Sequence, residues 1–328
     1  MLGIRRRREA DPGQAEAVLE RARSEGRPED LRRLLALRHA RGVRALEARR
    51  KPVRPPVAAD PPPAVPGRLP EVAAADLTPE LVRAGILRDG CVLVRGLVPA
   101  TEARALADRI DRAFAARREH HAGTETAGWY EEFEPDPRFT AVTERPWIEE
   151  GGGLLAVDSP RLSFELAEML EATGVHALVD GVLGEPGLVS AQKTTLRRAT
   201  PDVGGAWHQD GAFMGAVNAL NLWLALSRCG DVAPGLDLVA RRLDGLVATQ
   251  TDDAVLSFQV SDRQARLAAG DAPILRPVFE PGDALLFDEL LLHQTAADPA
   301  MPNPRHAVEC WFFGASAFPA AFAPLSAR

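Results

Sequence analysis

The sequence predicts a mainly β protein with flanking helices. From residue 187 onward, short β-like runs (LVSAQKTTLRR, AWHQDGAF, ALNLWLALS, GLDLVA, PILRPVF, DALLFDELLLHQT and RHAVECWFFGAS) alternate with Gly and Pro turns, the pattern of a β-sandwich or barrel. Ahead of them, apolar residues recur at helical spacing. No Gly-rich phosphate loop of the G-x-G-x-x-G or G-x-x-x-x-G-K-[ST] type is present, which argues against nucleotide enzymes built on those loops.

In chain order, residues 1–50 read as a basic helical extension, with helices expected over about 13–25 and 28–50 and a stripe of Leu31, Leu34, Leu35, Leu37, Val43 and Leu46. Residues 51–75 (KPVRPPVAADPPPAVPGRLPEVAAA) are expected to be a Pro-rich linker, because repeated proline blocks both helix and ladder formation. The main domain is expected over 76–328. Thr78 and Pro79 suit the N-cap and first position of a helix, and RDGCVLVRGL reads as a turn and a strand. PATEARALADRIDRAFAARREHH is an amphipathic helix with Leu106, Ile110 and Phe114 on one side. The irregular stretch 121–160 has the length of a lid or binding loop, and Trp129, Tyr130, Phe133 and Arg138 are expected to set specificity there. Two helices, SPRLSFELAEMLEA and GVHALVDGVLG, lead into the β region.

Composition narrows the setting. The 328 residues suffice for a substantial core, and no apolar run reaches the roughly 18 residues of a membrane-spanning helix. The arginine cluster near the start has no apolar segment or cleavage site after it, so the protein is expected to be cytoplasmic. Cys91, Cys229 and Cys310 are odd in number and have no C-x-x-C spacing, which fits buried thiols in a reducing compartment. Residues 1–54 carry a net charge of +8 and the remainder −15. Acidic residues interleave with the arginines of the leader at helix-pair spacing, favouring a solvated, salt-bridged surface over a nucleic-acid site.

The chemistry concentrates in WHQDGAFMG. On a strand, His208 and Asp210 would project to one side and Gln209 to the other. A pair of this kind is equally a polar turn, so a third ligand is needed. FEPGDALLFDELLLHQT offers it: Pro281 and Gly282 suit the centre of a type II turn, and the apolar strand after them would deliver His293 near its end. Taken alone, His293 reads as a core histidine. Two histidines and a carboxylate together make the composition of a facial Fe(II) site with open positions. Arg305 opens the strand RHAVECWFF, where an antiparallel neighbour would return its guanidinium toward the metal strand; its planar fork suits a carboxylate.

WHQDGAF, NLWLALSRCG, PGDALLFDELLLHQT and Arg305 together resemble the Fe(II)- and 2-oxoglutarate-dependent oxygenases of the phytanoyl-CoA dioxygenase type, over about residues 76–328. The resemblance implies a double-stranded β-helix core (jelly roll, cupin-like). It implies Fe(II) on His208, Asp210 and His293, and 2-oxoglutarate with its far carboxylate on Arg305. Trp223, Asn221, Thr195 and Lys193 are implied as further cosubstrate contacts, although Trp223 also reads as plain core and Lys193 as facing an acidic substrate. The implied reaction consumes O2, releases succinate and CO2, and oxidises a small molecule. Asp210 stands where related halogenases carry a small residue, which favours hydroxylation, desaturation or a related oxidation. APGLDLVARRLDG departs from the family's Pro-Gly-Ser-His-like turn. Two other readings remain open: a cupin-type metal enzyme that does not use 2-oxoglutarate and leaves Arg305 without a role, and a non-catalytic binding protein on the same fold.

Overall fold

Local signals start the elements where they were expected. Thr78 Oγ1 accepts from Leu81 N at 3.2 Å and Pro79 follows as the first helical residue. The computed structural model of the chain describes residues 12–48, 58–60, 67–139, 145–215 and 217–327. The helices are α1 (Pro12–Glu25), α2 (Pro28–Glu47), α3 (Pro79–Asp89), α4 (Ala100–His121), α5 (Arg145–Glu150), α6 (Pro160–Ala172), α7 (Val175–Leu183), α8 (Gly211–Met214) and α9 (Asp262–Ala269). The strands are β1 (Glu71–Ala73), β2 (Cys91–Arg95), β3 (Gly153–Leu155), β4 (Gly187–Ala199), β5 (Ala219–Ala225), β6 (Gly235–Val239), β7 (Ile274–Leu275), β8 (Ala284–Phe287), β9 (His293–Ala296), β10 (Arg305–Gly314) and β11 (Pro324–Ser326).

Two sheets form the jelly roll. The larger runs β1-β2-β8-β5-β10-β4-β11 with β3 beside β4, and the smaller runs β7-β6-β9. Alternation along the strands divides the core. Trp223, Ala225, Ala307, Trp311 and Phe313 face inward, against Leu236, Leu238 and Phe279. Leu222, Leu224, Val308, Cys310 and Phe312 face outward, under α3, α4, α6 and α7. The inner face of β5 and β10 therefore also carries Asn221, Arg305 and Glu309. Among the described residues no helix is long and apolar enough to cross a membrane.

The long apolar run DALLFDELLLHQT is two strands, not one. Asp288 turns the chain by accepting from Leu290 N at 3.1 Å, so β8 belongs to the large sheet and His293 opens β9 in the small one. The expected type II turn is present: Asp283 N donates to Glu280 O at 3.0 Å and Gly282 has φ +96°.

The leader is docked. Leu35 packs with Leu155, Ala191 and Leu325, and His39 Nδ1 donates to Pro324 O at 2.8 Å while its Nε2 accepts from Asp136 N. Residues 51–57 and 61–66, most of the expected linker, lie outside the described residues. Glu71–Ala73, within the same expected linker, pairs with β2, so the sheet begins before residue 76.

Gly42 allows α2 to approach β11, since a Cβ there would stand 2.8 Å from Pro324 O. Gly42→Val is expected to destabilise the protein by about 2 kcal/mol and to raise amide exchange along α2. Unchanged exchange would show that α2 does not depend on this approach.

Candidate metal centre

The triad assembles on a two-residue backbone bridge. His208 N donates to His293 O at 3.0 Å and His293 N to His208 O at 3.1 Å, placing the ring centroids 4.4 Å apart. The expected strand geometry for His208-x-Asp210 is not what brings the pair together. His208 is an isolated bridge residue, and Asp210 has αR dihedrals at the start of the short α8. Gly211 N donates to Glu289 O, which anchors this helical turn. Gln209, buried, holds it from behind: its Nε2 donates to Gly245 O and Leu290 O, and its Oε1 accepts from Val247 N.

The donor set fits a divalent metal of the Fe(II) type. His208 Nδ1 lies 2.8 Å from Ala206 O and His293 Nδ1 3.1 Å from Leu291 O. A carbonyl only accepts, so both Nδ1 atoms carry the proton and both Nε2 lone pairs are available. One ligand atom from each of His208, Asp210 and His293 falls within 4.8 Å of the others, with His293 Nε2 3.8 Å from Asp210 Oδ2. Donors each about 2.1 Å from one ion stand some 3 to 4 Å apart. Burial and the neighbouring His293 push the His208 imidazole down to about 4, so it is neutral and ready to ligate at physiological pH.

Arg305 is buried at 3% exposure at the start of β10. Its Nη1 donates to Gly235 O at 3.1 Å, its guanidinium lies 5.3 Å from the Trp223 ring centroid, and its buried Nε has no partner. Burial lowers its pKa to about 10, which leaves it charged at neutral pH. Among the described residues no carboxylate pairs with it. Such a cation calls for an anionic guest. Asn221 is fully buried with both side-chain polar atoms unpartnered, on the same inner face as Trp223. Thr195 donates instead to Glu309 Oε2 at 3.2 Å, and Lys193 Nζ lies 3.7 Å from Asp210 Oδ1 and 4.4 Å from the Phe213 ring centroid.

Sequence reasoning missed part of this wall. Arg197 Nη2 pairs with Glu309 Oε2 at 3.1 Å, and Trp311 Nε1 donates to Glu309 Oε1. Burial raises the Glu309 carboxyl, but Arg197, Lys193 and His293 outweigh it and hold the group ionised, well below the usual range. The expected specificity residues lie elsewhere. Tyr130 is buried in the outer core, Trp129 stacks under Arg112 and Arg161, Phe133 meets His39, and Arg138 pairs with Glu47. The rings at the triad are Phe287, 5.2 Å from His293, and Phe213 and Phe258, 6.3 and 6.2 Å from His208, with Trp147 of α5 5.8 Å from Phe258.

A jelly roll holding two histidines, a carboxylate and a buried arginine defines a non-haem Fe(II)- and 2-oxoglutarate-dependent dioxygenase. The chain belongs to the phytanoyl-CoA dioxygenase (PhyH) family, whose model matches residues 86–300. Similar solved structures include the non-haem α-ketoglutarate-dependent epimerase SnoN from nogalamycin biosynthesis, at 17% identity over 72% of this chain and 83% of that one, with a TM-score of 0.46. Another is EctD from S. alaskensis with 2-oxoglutarate and 5-hydroxyectoine, at 17% identity, 72% and 77% coverage and a TM-score of 0.47. The carbocyclase SnoK from nogalamycin biosynthesis shares 13% identity, with 74% and 87% coverage and a TM-score of 0.47. No curated protein matches the sequence.

Gln209→Ala should release the turn that carries Asp210 and weaken Fe(II) binding on the order of 10-fold or more; a competition titration with a chelating dye that finds wild-type affinity would remove Gln209 from the support of the site. Glu289 supplies a pH signature. Burial, then Asp288, raises its carboxyl to about 7. The folded state thus keeps a proton that the unfolded chain loses near 4.5, and the stabilisation present at low pH is lost as pH rises through 7. Glu289→Gln is expected to gain about 1 to 2 kcal/mol at pH 8, discounted for partial exposure, and nothing at pH 4. Parallel urea curves at the two pH values check this.

Proposed function

We propose that this dioxygenase hydroxylates a small-molecule substrate, with His208, Asp210 and His293 holding Fe(II) and Arg305 receiving the far carboxylate of 2-oxoglutarate. The observation that carries the reading is the buried guanidinium without a carboxylate partner, set on β10 and bonded to Gly235 O of β6, the strand that pairs with β9 and so with His293. A cupin-type metal enzyme that does not use 2-oxoglutarate would have no use for that cation.

When bound, the iron supplies the redox chemistry: O2 is divided between succinate, formed from 2-oxoglutarate with loss of CO2, and the hydroxyl of the product. The chain's own residues supply geometry. The carbonyls of Ala206 and Leu291 fix the imidazole tautomers, and Gln209 fixes the aspartate turn. The Trp223 ring stands 5.3 Å from the Arg305 guanidinium, a cation–π contact that helps to position the fork. Asn221, with a free donor and a free acceptor, is assigned to the cosubstrate's polar atoms. Thr195 and Lys193 are assigned to the substrate side of the pocket, because their partners are Glu309, Asp210 and Phe213. Asp210 occupies an iron position, consistent with oxygen transfer. Cys91, Cys229 and Cys310 are free and buried, which supports a reducing, cytoplasmic setting.

Anaerobic addition of Fe(II) and 2-oxoglutarate is expected to give a weak visible charge-transfer band that needs both. Arg305→Ala should raise the 2-oxoglutarate concentration required on the order of 100-fold, and Asp210→Ala should abolish iron binding and turnover. Bound iron with no band at any 2-oxoglutarate concentration would move the assignment to a metal enzyme of another class.

A further inference from the structure

Facing the triad, β4 turns Lys193, Thr195 and Arg197 to one side at two-residue spacing, and β10 sets Glu309 opposite Thr195. The polar groups of this wall are unequally satisfied. Glu309 Oε1 is taken by Trp311 and Oε2 by Thr195 and Arg197. The Lys193 ammonium makes no hydrogen bond among the described residues: it is 3.7 Å from Asp210 Oδ1 and rests on the Phe213 ring. Asp210 is committed to the metal in the function proposed for the site, on which this inference rests. Two cations, Lys193 and Arg197, therefore share the single carboxylate of Glu309. Arg305 and Asp210, with Fe(II) and 2-oxoglutarate bound, balance to zero among themselves. One positive charge is left over at the wall of the pocket.

The rim next to that charge is apolar and open. Phe213 is 40% exposed and Trp147 50%, and Phe258 bridges them at 4.8 and 5.8 Å. Exposed rings adjoining a metal ligand would rest against an apolar body, and a partly desolvated ammonium beside them would draw a negative charge.

We propose that the substrate is a monoanion with an apolar body, a carboxylate carried on an aromatic or aliphatic frame. Its carboxylate binds Lys193, flanked by Arg197, and its body lies against Phe213, Phe258 and Trp147. Glu309 acts as the internal competitor that holds Arg197 in place and rejects dianions.

The test uses 3-phenylpropionate, 3-phenylpropanamide and 3-phenylpropylamine as anionic, neutral and cationic probes of one shape. The full chain is saturated anaerobically with Fe(II) and 2-oxoglutarate, and probe binding is read by calorimetry while the charge-transfer band is followed in the same sample. The carboxylate is expected to bind at least about 10-fold more tightly than the amide, and the amine not at all, with the band retained. Lys193→Met should erase the preference for carboxylate over amide without moving the 2-oxoglutarate titration. Glu309→Gln should tighten carboxylate binding, and Phe213→Ala should weaken carboxylate and amide alike. Equal affinity for carboxylate and amide in the wild type overturns the proposal. So does loss of the band on adding probe, or a Lys193→Met variant in which only the 2-oxoglutarate titration shifts, since Lys193 would then serve the cosubstrate. Absence of the band before any probe is added is a separate failure, that of the iron and 2-oxoglutarate assignment.

Discussion

The site depends on the backbone bridge between His208 and His293. Neither residue is fixed by a long ladder: His208 lies outside every strand and His293 is the first residue of β9. Their exchanged N–H···O bonds tie a loop to the small sheet. Gly205 extends the pairing through Thr295 O, and a Cβ on Gly205 would stand 3.0 Å from Thr295 N, so a side chain there would force the segments apart. Each ring is then aimed by the same local device, an Nδ1 bond to the carbonyl two residues upstream. The chain thus builds two equivalent imidazole donors from one antiparallel contact, and Asp210 is added by a helical turn that Gln209 and Gly211 lock from behind.

Around this bridge the interior is divided electrostatically. Arg305 is buried with one backbone acceptor and an orphaned Nε, whereas Glu309, half-buried, receives three donors. In a low-dielectric interior an unsatisfied charge is costly and a satisfied one is tolerated. The difference separates recognition from scaffolding. Arg305 is left short of partners, which is why the proposed function gives it the far carboxylate of the cosubstrate, and Glu309 is surrounded by donors that fix its carboxylate.

The features legible in the sequence were those set by local chemistry. Thr78 with Pro79 starts α3, and Pro281 with Gly282 makes the turn before β8, because caps and positive-φ turns depend on neighbouring residues alone. Residue type and order suffice to expect that His208, Asp210 and His293 converge and that Arg305 turns inward, as the structure has them. The geometry was less legible. A uniform leucine run conceals the change of sheet at Asp288, since the chain is equally apolar on both sides of it. The two-residue spacing of His208 and Asp210 suits a strand, but it suits equally a bridge followed by a helical turn, which is what the chain forms. SAQKTTLRR places Lys193, Thr195 and Arg197 at strand alternation, but nothing local to it marks Arg197 or Glu309 as partners. Their meaning appears only when β10 is laid beside β4.

Within the irregular stretch 121–160 it is Trp147, through Phe258, that comes near the triad, whereas the aromatic residues of 121–139 pack elsewhere. Trp129, Tyr130 and Phe133 pack against α4, α6 and the leader helix α2, through Arg112, Arg161, His120 and His39. Trp129 and Tyr130 therefore join the outer core, and Phe133 packs on the side where Leu35 meets Leu155, Ala191 and Leu325. That side also receives α2 through Gly42 and Pro324, and β11 passes the contact directly to Ser190, Val189 and Leu188 of β4. A few residues farther along the same strand, Lys193, Thr195 and Arg197 lie at strand alternation beside Glu309, with Lys193 Nζ 3.7 Å from Asp210 Oδ1. One strand is thus held at one end by β11 and the leader while farther along it presents the charged wall, so residues remote from the triad hold the register of the residues that face it.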